Sequence, residues 1–147
     1  MKFYLPIISI VVVIVSVVCI ASVNLKLSCQ VSIPIEFQQD PPGWNPPNGE
    51  SEAIRYTKGY KAFWWNCVLV KSNDLNGRCP SLCSGTPAAT QGCDDGAKDS
   101  ENAITELINS HKSGDVKAYL KKLARDNDAQ MNIDPYFPDG PKAELFN

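Results

Sequence analysis

The sequence has a single histidine, His111, and lacks the short motifs that mark common hydrolases and nucleotide-binding enzymes. One histidine excludes acid/base catalysis by a histidine pair and metal sites built from several histidines. Its position at the expected end of a helix predicts a favourable contact with the helix dipole. The Gly-X-Ser-X-Gly elbow, the phosphate-binding loop and the His-Glu-X-X-His motif are all absent. We therefore predict a protein that is not an enzyme and uses no cofactor and no metal.

A basic patch is also missing. The chain has 14 Lys and Arg against 16 Asp and Glu, a formal charge of -2, and its Lys and Arg form no cluster long enough to be a basic patch. Because proteins that bind nucleic acids neutralise phosphates with clustered Lys and Arg, we predict no nucleic-acid partner. One acidic group lacks the alternating spacing of a calcium loop, and we interpret it as a solvated helix face. Its members are Asp94, Asp95, Asp99 and Glu101.

The N-terminal segment is almost free of charge. Between Lys2 and Lys26 there is no charged residue, and residues 5–23 are almost wholly apolar. Small residues at Cys19 and Ala21 suit cleavage after Ala21, so we predict a signal peptide over residues 1–21 and a secreted, extracellular protein. The alternative is an uncleaved signal anchor, since this apolar run approaches the ~20 residues that cross a bilayer. The protein would then be membrane-anchored with an extracytosolic domain, and we expect membrane contact only through such a leader.

Four cysteines lie close together after the leader. They lack the Cys-X-X-Cys pairs of zinc sites, whereas disulfides suit the compartment that the leader predicts. We therefore predict two disulfides among Cys67, Cys79, Cys83 and Cys93. Four cysteines allow three pairings; Cys79–Cys83 is disfavoured, because side chains four apart on one helical turn bridge poorly. The other two pairings stay open. Cys29 is left over as a free or intermolecular thiol.

Residues 22–50 predict an extended, proline-rich lead-in. The stretch QQDPPGWNPPNGE holds four prolines, which neither continue a helix nor sit inside a sheet. Trp44 lies between two Pro-Pro pairs. We expect this segment to pack as a strap on the domain, with Trp44 as a candidate exposed aromatic contact; the alternative is a docking segment for a proline-binding module.

Residues 51–147 predict a helical, disulfide-bonded domain. Ser51 is a good N-cap for a helix over 51–71, although residues 63–70 alone also fit a strand. Thr86 and Pro87 start a second helix that ends near Ser110, and residues 115–125 carry the apolar stripe of a third. The tail is turn-rich. The predicted fold class is mainly α, a small disulfide-stabilised helical bundle.

Two patterns on these helices can be explained either by a function or by packing. FWWNC, residues 63–67, suits either an aromatic binding platform or a helix core, and we favour the core because adjacent helical residues point about 100° apart. The third helix carries basic residues on its polar side, as a helix that lies on an anionic membrane does. An ordinary bundle helix shows the same amphipathicity, and we favour that interpretation.

The layout as a whole resembles one group of known proteins. A short leader, a proline-rich strap, FWWNCVLV, RCPSLCSGTPAATQGCDDG and helices are similar to the small secreted cysteine-containing proteins of filamentous fungi, over roughly residues 50–140. The resemblance implies an extracellular, disulfide-bonded protein with host- or competitor-facing roles, and it carries over no active site. We therefore expect a non-enzymatic recognition or effector-like protein whose partner is an extracellular protein or a small apolar ligand. The alternatives are a membrane-active, toxin-like helical protein and a small secreted hydrolase.

Overall fold

The computed structural model describes residues 24–46 and 49–128. This part of the chain is mainly helical and contains no strand, and it holds two disulfides, as the sequence predicts. A short 3₁₀ helix at Ile35–Phe37 precedes three α-helices: α1 at Glu52–Asn73, α2 at Pro87–Ser110 and α3 at Ser113–Asp126. The predicted signal peptide, residues 1–21, and the predicted turn-rich tail, residues 132–146, lie outside the described residues. Residues 47 and 48, which belong to the predicted proline-rich strap, also lie outside the described residues. The strap therefore remains a prediction.

The helix starts follow from their capping residues. Ser51 is the N-cap of α1, and its hydroxyl oxygen accepts a hydrogen bond from the Ile54 amide at 3.3 Å. Thr86 caps α2 in the same way, with Pro87 in the first helical position, where its missing N–H costs nothing. Residues 63–70 continue α1 without interruption, so the strand interpretation of this stretch is wrong. Here the helical start at Ser51 and the tertiary packing outweigh the strand propensity of the aromatic residues.

Helices α1 and α2 run parallel to each other. Tyr56 meets Gly92 and Tyr60 meets Gly96, so a step of four residues along α1 matches a step of four along α2. The next step brings the Ser100 hydroxyl to donate a hydrogen bond to the Trp64 carbonyl oxygen at 3.0 Å. A parallel pair needs a connection that returns along the length of the helices, and residues 74–86 provide it.

The two helices touch through their backbones. A Cβ atom added to Gly92 would lie 2.2 Å from the Tyr56 carbonyl oxygen, and one added to Gly96 would lie 2.2 Å from that of Tyr60. Gly59 of α1 has the same role, since its Cβ would lie 2.5 Å from the Ala89 carbonyl oxygen. Glycine costs roughly 1 kcal/mol within a helix relative to alanine. Here the close approach of α1 and α2 requires it at all three positions.

The disulfides attach the returning connection to both helices. Cys67 of α1 pairs with Cys79, and Cys83 pairs with Cys93 of α2. The two bridges select one of the pairings left open by the sequence and use all four predicted cysteines. Each closes a short loop in the unfolded chain, which stabilises a small domain by roughly 3 kcal/mol a bridge.

The remaining elements cover α1. The predicted apolar stripe of α3 faces the core. Val116, Leu120 and Ala124 are buried, and Tyr119 and Leu123 are partly buried beside them. In the lead-in, alternate apolar residues from Leu25 to Ile33 pack against the same core, and the Leu27 amide donates a hydrogen bond to the Tyr119 hydroxyl at 2.7 Å. The lead-in therefore belongs to the core that the helices form.

The tryptophans of FWWNC are core residues. Trp64 is 4% exposed and Trp65 is 7% exposed, and both join the main apolar cluster. Neither indole N–H has a hydrogen-bond partner within the described part of the chain, so both side chains contribute by apolar contact. The stretch therefore supports the fold, and any binding surface lies elsewhere.

Candidate binding pocket

Three aromatic side chains of α1 and one of the 3₁₀ helix form a column that leads from the core to the surface. Ring centroids lie 6.2 Å apart between Trp64 and Tyr60 and 6.1 Å apart between Tyr60 and Tyr56. Phe37, from the 3₁₀ helix, stacks on Tyr56 at 5.8 Å. These distances are within the range in which aromatic pairs attract each other. The column fixes the position of Phe37, which lines the pocket described below.

Two tyrosines of this column are tied to α2 by carboxylates. The Tyr56 hydroxyl donates to Asp95 and the Tyr60 hydroxyl donates to Asp99, each at 2.7 Å. Burial raises the pKa of both tyrosines well above the ordinary value, and the hydrogen bond to a carboxylate and its negative charge raise it further. The two hydrogen bonds thus fix the register in which α1 packs against α2.

We expect these tyrosines to make the fold sensitive to alkali. Above pH 10.0, the ordinary tyrosine pKa, the unfolded chain loses protons that the folded chain retains, so the free energy of unfolding falls as pH rises. Urea denaturation from pH 8 to pH 11 measures this fall. It should be shallower for the Tyr56→Phe/Tyr60→Phe variant, with Cys29→Ala in both chains because that thiol titrates in the same window. Equal slopes for the two chains would contradict the prediction.

The acidic group predicted as a solvated face has a larger structural role. Asp95 and Asp99 hold the two tyrosines, and Glu101 lies 3.2 Å from the buried ammonium group of Lys71. Asp94 makes no such contact with α1 and pairs with Lys98 of its own helix. The face is solvated as predicted, since Asp99 is exposed and the other three acids are only partly buried. A single-sequence pattern does not show that three of these carboxylates also contact side chains of a second helix.

Cys29 is free in the structure and lies in the lead-in. It is partly buried and packs against the main apolar cluster. Burial raises its pKa from 9.0 to about 11, although the positive charge of Lys61 opposes this. A thiol reacts as its thiolate, so Cys29 is held in its less reactive form at neutral pH.

We expect Cys29 to be alkylated slowly in the folded protein. A pKa two units higher leaves ~100-fold less thiolate at pH 8, and burial slows access further. The rate of iodoacetamide labelling at pH 8 should therefore be at least ~100-fold lower in buffer than in 6 M guanidinium chloride. Similar rates in both conditions, or a disulfide-linked dimer through Cys29, would contradict this result.

A pocket of about 320 Å³ lies where the lead-in meets the N-termini of α1 and α2. Its size is at the lower end of the range for small-molecule sites. Most of its wall is apolar, with two acidic side chains and one hydroxyl. The lining residues are Glu36, Phe37, Pro41, Trp44, Glu52, Thr86 and Pro87. Trp44, the candidate aromatic contact, is thus partly buried as one wall of a pocket and does not lie flat on the surface.

Local hydrogen bonds set the shape of this pocket. Asp40 accepts a hydrogen bond from the Glu52 amide at 2.8 Å, which ties the lead-in to the first residue of α1. The Trp44 amide donates to the Pro41 carbonyl oxygen at 3.1 Å and closes a turn that carries both residues. The pocket is therefore built on rigid helix ends and a short turn.

The electrostatic feature of the pocket is an unpaired acid. Glu52 is only 8% exposed, yet no hydrogen bond or ion pair joins its carboxylate to another described residue. The neighbouring acid Glu50 is paired with Lys58, so that ammonium group is already in contact with a carboxylate. Glu36 is exposed and contributes a second negative charge. No Lys or Arg lines the pocket among the described residues.

A second depression lies over the returning connection and α2. It measures about 380 Å³, and its charges are mixed: Arg78 and Lys98 face Asp94 and Glu101. Since Lys98 and Asp94 already pair with each other, and Glu101 with Lys71, its polar groups are largely satisfied. The pocket at Trp44 is the better candidate site.

Most of this site could not be predicted from the sequence. Trp44 stands out between its proline pairs, but Phe37 looks like an ordinary aromatic residue, and Glu36 and Glu52 look like ordinary acids. His111 lies at the C-terminal end of α2, as predicted, with Nδ1 3.2 Å from the Leu107 carbonyl oxygen. Nothing brings it to the pocket.

The described residues contain no group of three or more His, Cys, Asp or Glu side chains placed to hold a metal ion. None of the helices within residues 24–46 and 49–128 is both long and apolar enough to span a bilayer.

The fold and site together define a small disulfide-stabilised α-helical domain that carries a largely apolar pocket with two acidic side chains. Comparison with models of known protein families, with the curated proteins and with the solved structures finds no match.

Proposed function

We propose that the protein is a secreted, non-enzymatic recognition protein that binds a ligand outside the cell through the pocket at Trp44. The observation that carries the proposal is this pocket, because it combines two aromatic walls with Glu52, an acid that is 8% exposed and has no partner for its carboxylate among the described residues. The disulfides support an oxidising environment, and the leader in the sequence supports export. The ligand is an extracellular protein or a small apolar molecule.

The main alternative is a membrane-active, toxin-like protein, for which α3 is the candidate contact. Its polar side carries Lys121, Lys122 and Arg125, all exposed. Its apolar stripe, however, packs against α1 and would have to leave the core before it could enter a membrane interface. This burial favours recognition. The third candidate, a small secreted hydrolase, draws no support from the arrangement around His111.

The test is a ligand screen with a matched pair of variants. Wild type, Trp44→Ala and Leu82→Ala are compared by thermal shift against small apolar and amphiphilic compounds and against extracellular proteins. Leu82 is 86% exposed and does not line the pocket, so it controls for loss of a surface apolar residue. We expect a ligand that stabilises wild type and Leu82→Ala but not Trp44→Ala.

Two further assays address the alternatives. Leakage of anionic liposomes at micromolar protein, together with a screen in which no ligand depends on Trp44, would replace recognition with membrane action. Hydrolase activity that disappears in the His111→Ala variant would replace it with catalysis. We expect neither leakage nor activity.

A further inference from the structure

We infer that the pocket at Trp44 binds an organic cation, and specifically an alkylated ammonium group. This inference rests on the proposed function, since it assigns a chemical class to the ligand of the same pocket. Three features of the pocket carry it: the aromatic walls, the acidic charges and the small number of hydrogen-bonding groups.

The walls suit a compact cation. Phe37 and Trp44 both line the pocket, and tryptophan is the side chain whose ring face attracts cations most strongly. Pro41 and Pro87 add apolar surface without an N–H donor. Methyl groups on a charged nitrogen would therefore meet aromatic and apolar surface along these walls.

The charges select the sign of the ligand. Glu52 and Glu36 line the pocket, and Glu52, which is 8% exposed, has no cationic partner among the described residues. A nearby positive charge favours the ionised form of such a carboxyl group. A bound cation supplies that charge, whereas an anion in the pocket would be repelled by both acids.

Helix N-termini usually favour anions, but the two that meet here are already occupied. Asp40 and the Ser51 hydroxyl accept hydrogen bonds from the first turn of α1. In α2, the Thr86 hydroxyl accepts from the Ala89 amide, and Pro87 has no N–H to offer. Few donors are therefore left for a phosphate or carboxylate.

The apolar walls favour an alkylated ammonium group over a free one. A primary ammonium group brings three N–H donors, and a donor turned toward the aromatic or proline side chains of the lining finds no acceptor there. Besides the two carboxylates, the side chains of the lining offer only the Thr86 hydroxyl, which already accepts from Ala89. A quaternary ammonium group has no N–H and needs only aromatic faces and negative charge.

The test uses a cation and its neutral isostere. Choline and 3,3-dimethylbutan-1-ol have nearly the same shape and differ in charge. Each is titrated into the full-length protein while the Trp44 indole N–H is followed by ¹⁵N-edited NMR, assigned with the Trp44→Phe variant. We expect saturable choline binding, with the isostere at least about tenfold weaker, as a cation–π contact and a carboxylate predict.

Charge-neutral variants locate the effect. Glu52→Gln keeps the size of the side chain and should weaken choline binding about tenfold without changing the binding of the isostere. Glu36→Gln should act in the same direction but less, because that residue is exposed. The control is Glu106→Gln, an exposed acid of α2 outside the pocket, which should leave both affinities unchanged.

The outcomes separate this inference from the proposed function. If the isostere binds as tightly as choline, or Glu52→Gln has no effect, the cation inference fails while a ligand pocket at Trp44 stands. If Nα-acetyl-lysine methylamide binds more tightly than its Nζ-trimethyl form, the preference for an alkylated ammonium group fails. If no cation and no compound of the screen depends on Trp44, both the inference and the proposed function fail.

Discussion

Replacing Gly96 with alanine is expected to destabilise the protein by about 3 kcal/mol, although alanine is the better helix former. The added Cβ would lie 2.2 Å from the Tyr60 carbonyl oxygen and less than 3 Å from two further Tyr60 backbone atoms. Backbone atoms cannot move aside as a flexible side chain does, so α1 and α2 must separate. That separation also strains the Tyr60–Asp99 hydrogen bond. The measurement is the free energy of unfolding from urea denaturation.

Gly114→Ala is the matched control. Gly114 lies in the first turn of α3, and a Cβ there would meet nothing within 4 Å. The same substitution should therefore stabilise the protein by about 0.5–1 kcal/mol through helix propensity alone. Gly92→Ala should behave like Gly96→Ala, since its Cβ would lie 2.2 Å from the Tyr56 carbonyl oxygen. If Gly96→Ala and Gly114→Ala are equally neutral or stabilising, α1 and α2 do not touch as described.

Removal of both disulfides is expected to cost about 6 kcal/mol, or about 3 kcal/mol for each bridge. The bridged cysteines are 12 residues apart for Cys67–Cys79 and 10 apart for Cys83–Cys93, so each bridge restricts a short loop of the unfolded chain. Cys67 and Cys93 are fully buried, and alanine in their place also removes apolar contacts. A domain of this size has total stability of the same order, so the chain without bridges should be largely unfolded at 37 °C.

Addition of dithiothreitol separates the contributions of the two bridges to stability. The Cys67→Ala/Cys79→Ala variant should lose further stability on addition of dithiothreitol, because Cys83–Cys93 remains. The variant that lacks all four cysteines should not respond. Cys29→Ala is the control, since it changes no bridge. A wild-type unfolding midpoint that is the same with and without dithiothreitol would contradict the stabilising role of the disulfides.

The helices could be predicted from the sequence because their starts are local. Ser51, Thr86 and Pro87 mark the N-termini through interactions within one turn, and the stripe of α3 repeats with the helical period. The sequence places Gly92 and Gly96 four residues apart, but it does not show which helix packs against them. The partner helix and its direction depend on contacts 36 residues apart in sequence, which no local pattern specifies.

The site could not be predicted for the same reason. Trp44 was visible between its proline pairs, but the pocket exists only because the 3₁₀ helix brings Phe37 onto Tyr56 and the lead-in reaches the N-terminus of α1. Glu52 is a candidate binding residue because it is largely buried and has no partner among the described residues, and the sequence shows neither property. Likewise, Asp95 and Asp99 resemble any acids on a helix surface until two tyrosines are placed opposite them.

The most direct test is mass spectrometry of the full-length sequence expressed in a eukaryotic secretory host and alkylated in 6 M guanidinium chloride without reduction. We predict a chain in the medium that begins at residue 22, carries one alkyl group, at Cys29, and yields peptides linked as Cys67–Cys79 and Cys83–Cys93. A retained leader together with alkylation of all four of the bridged cysteines would contradict both the proposed compartment and the stabilisation of the fold.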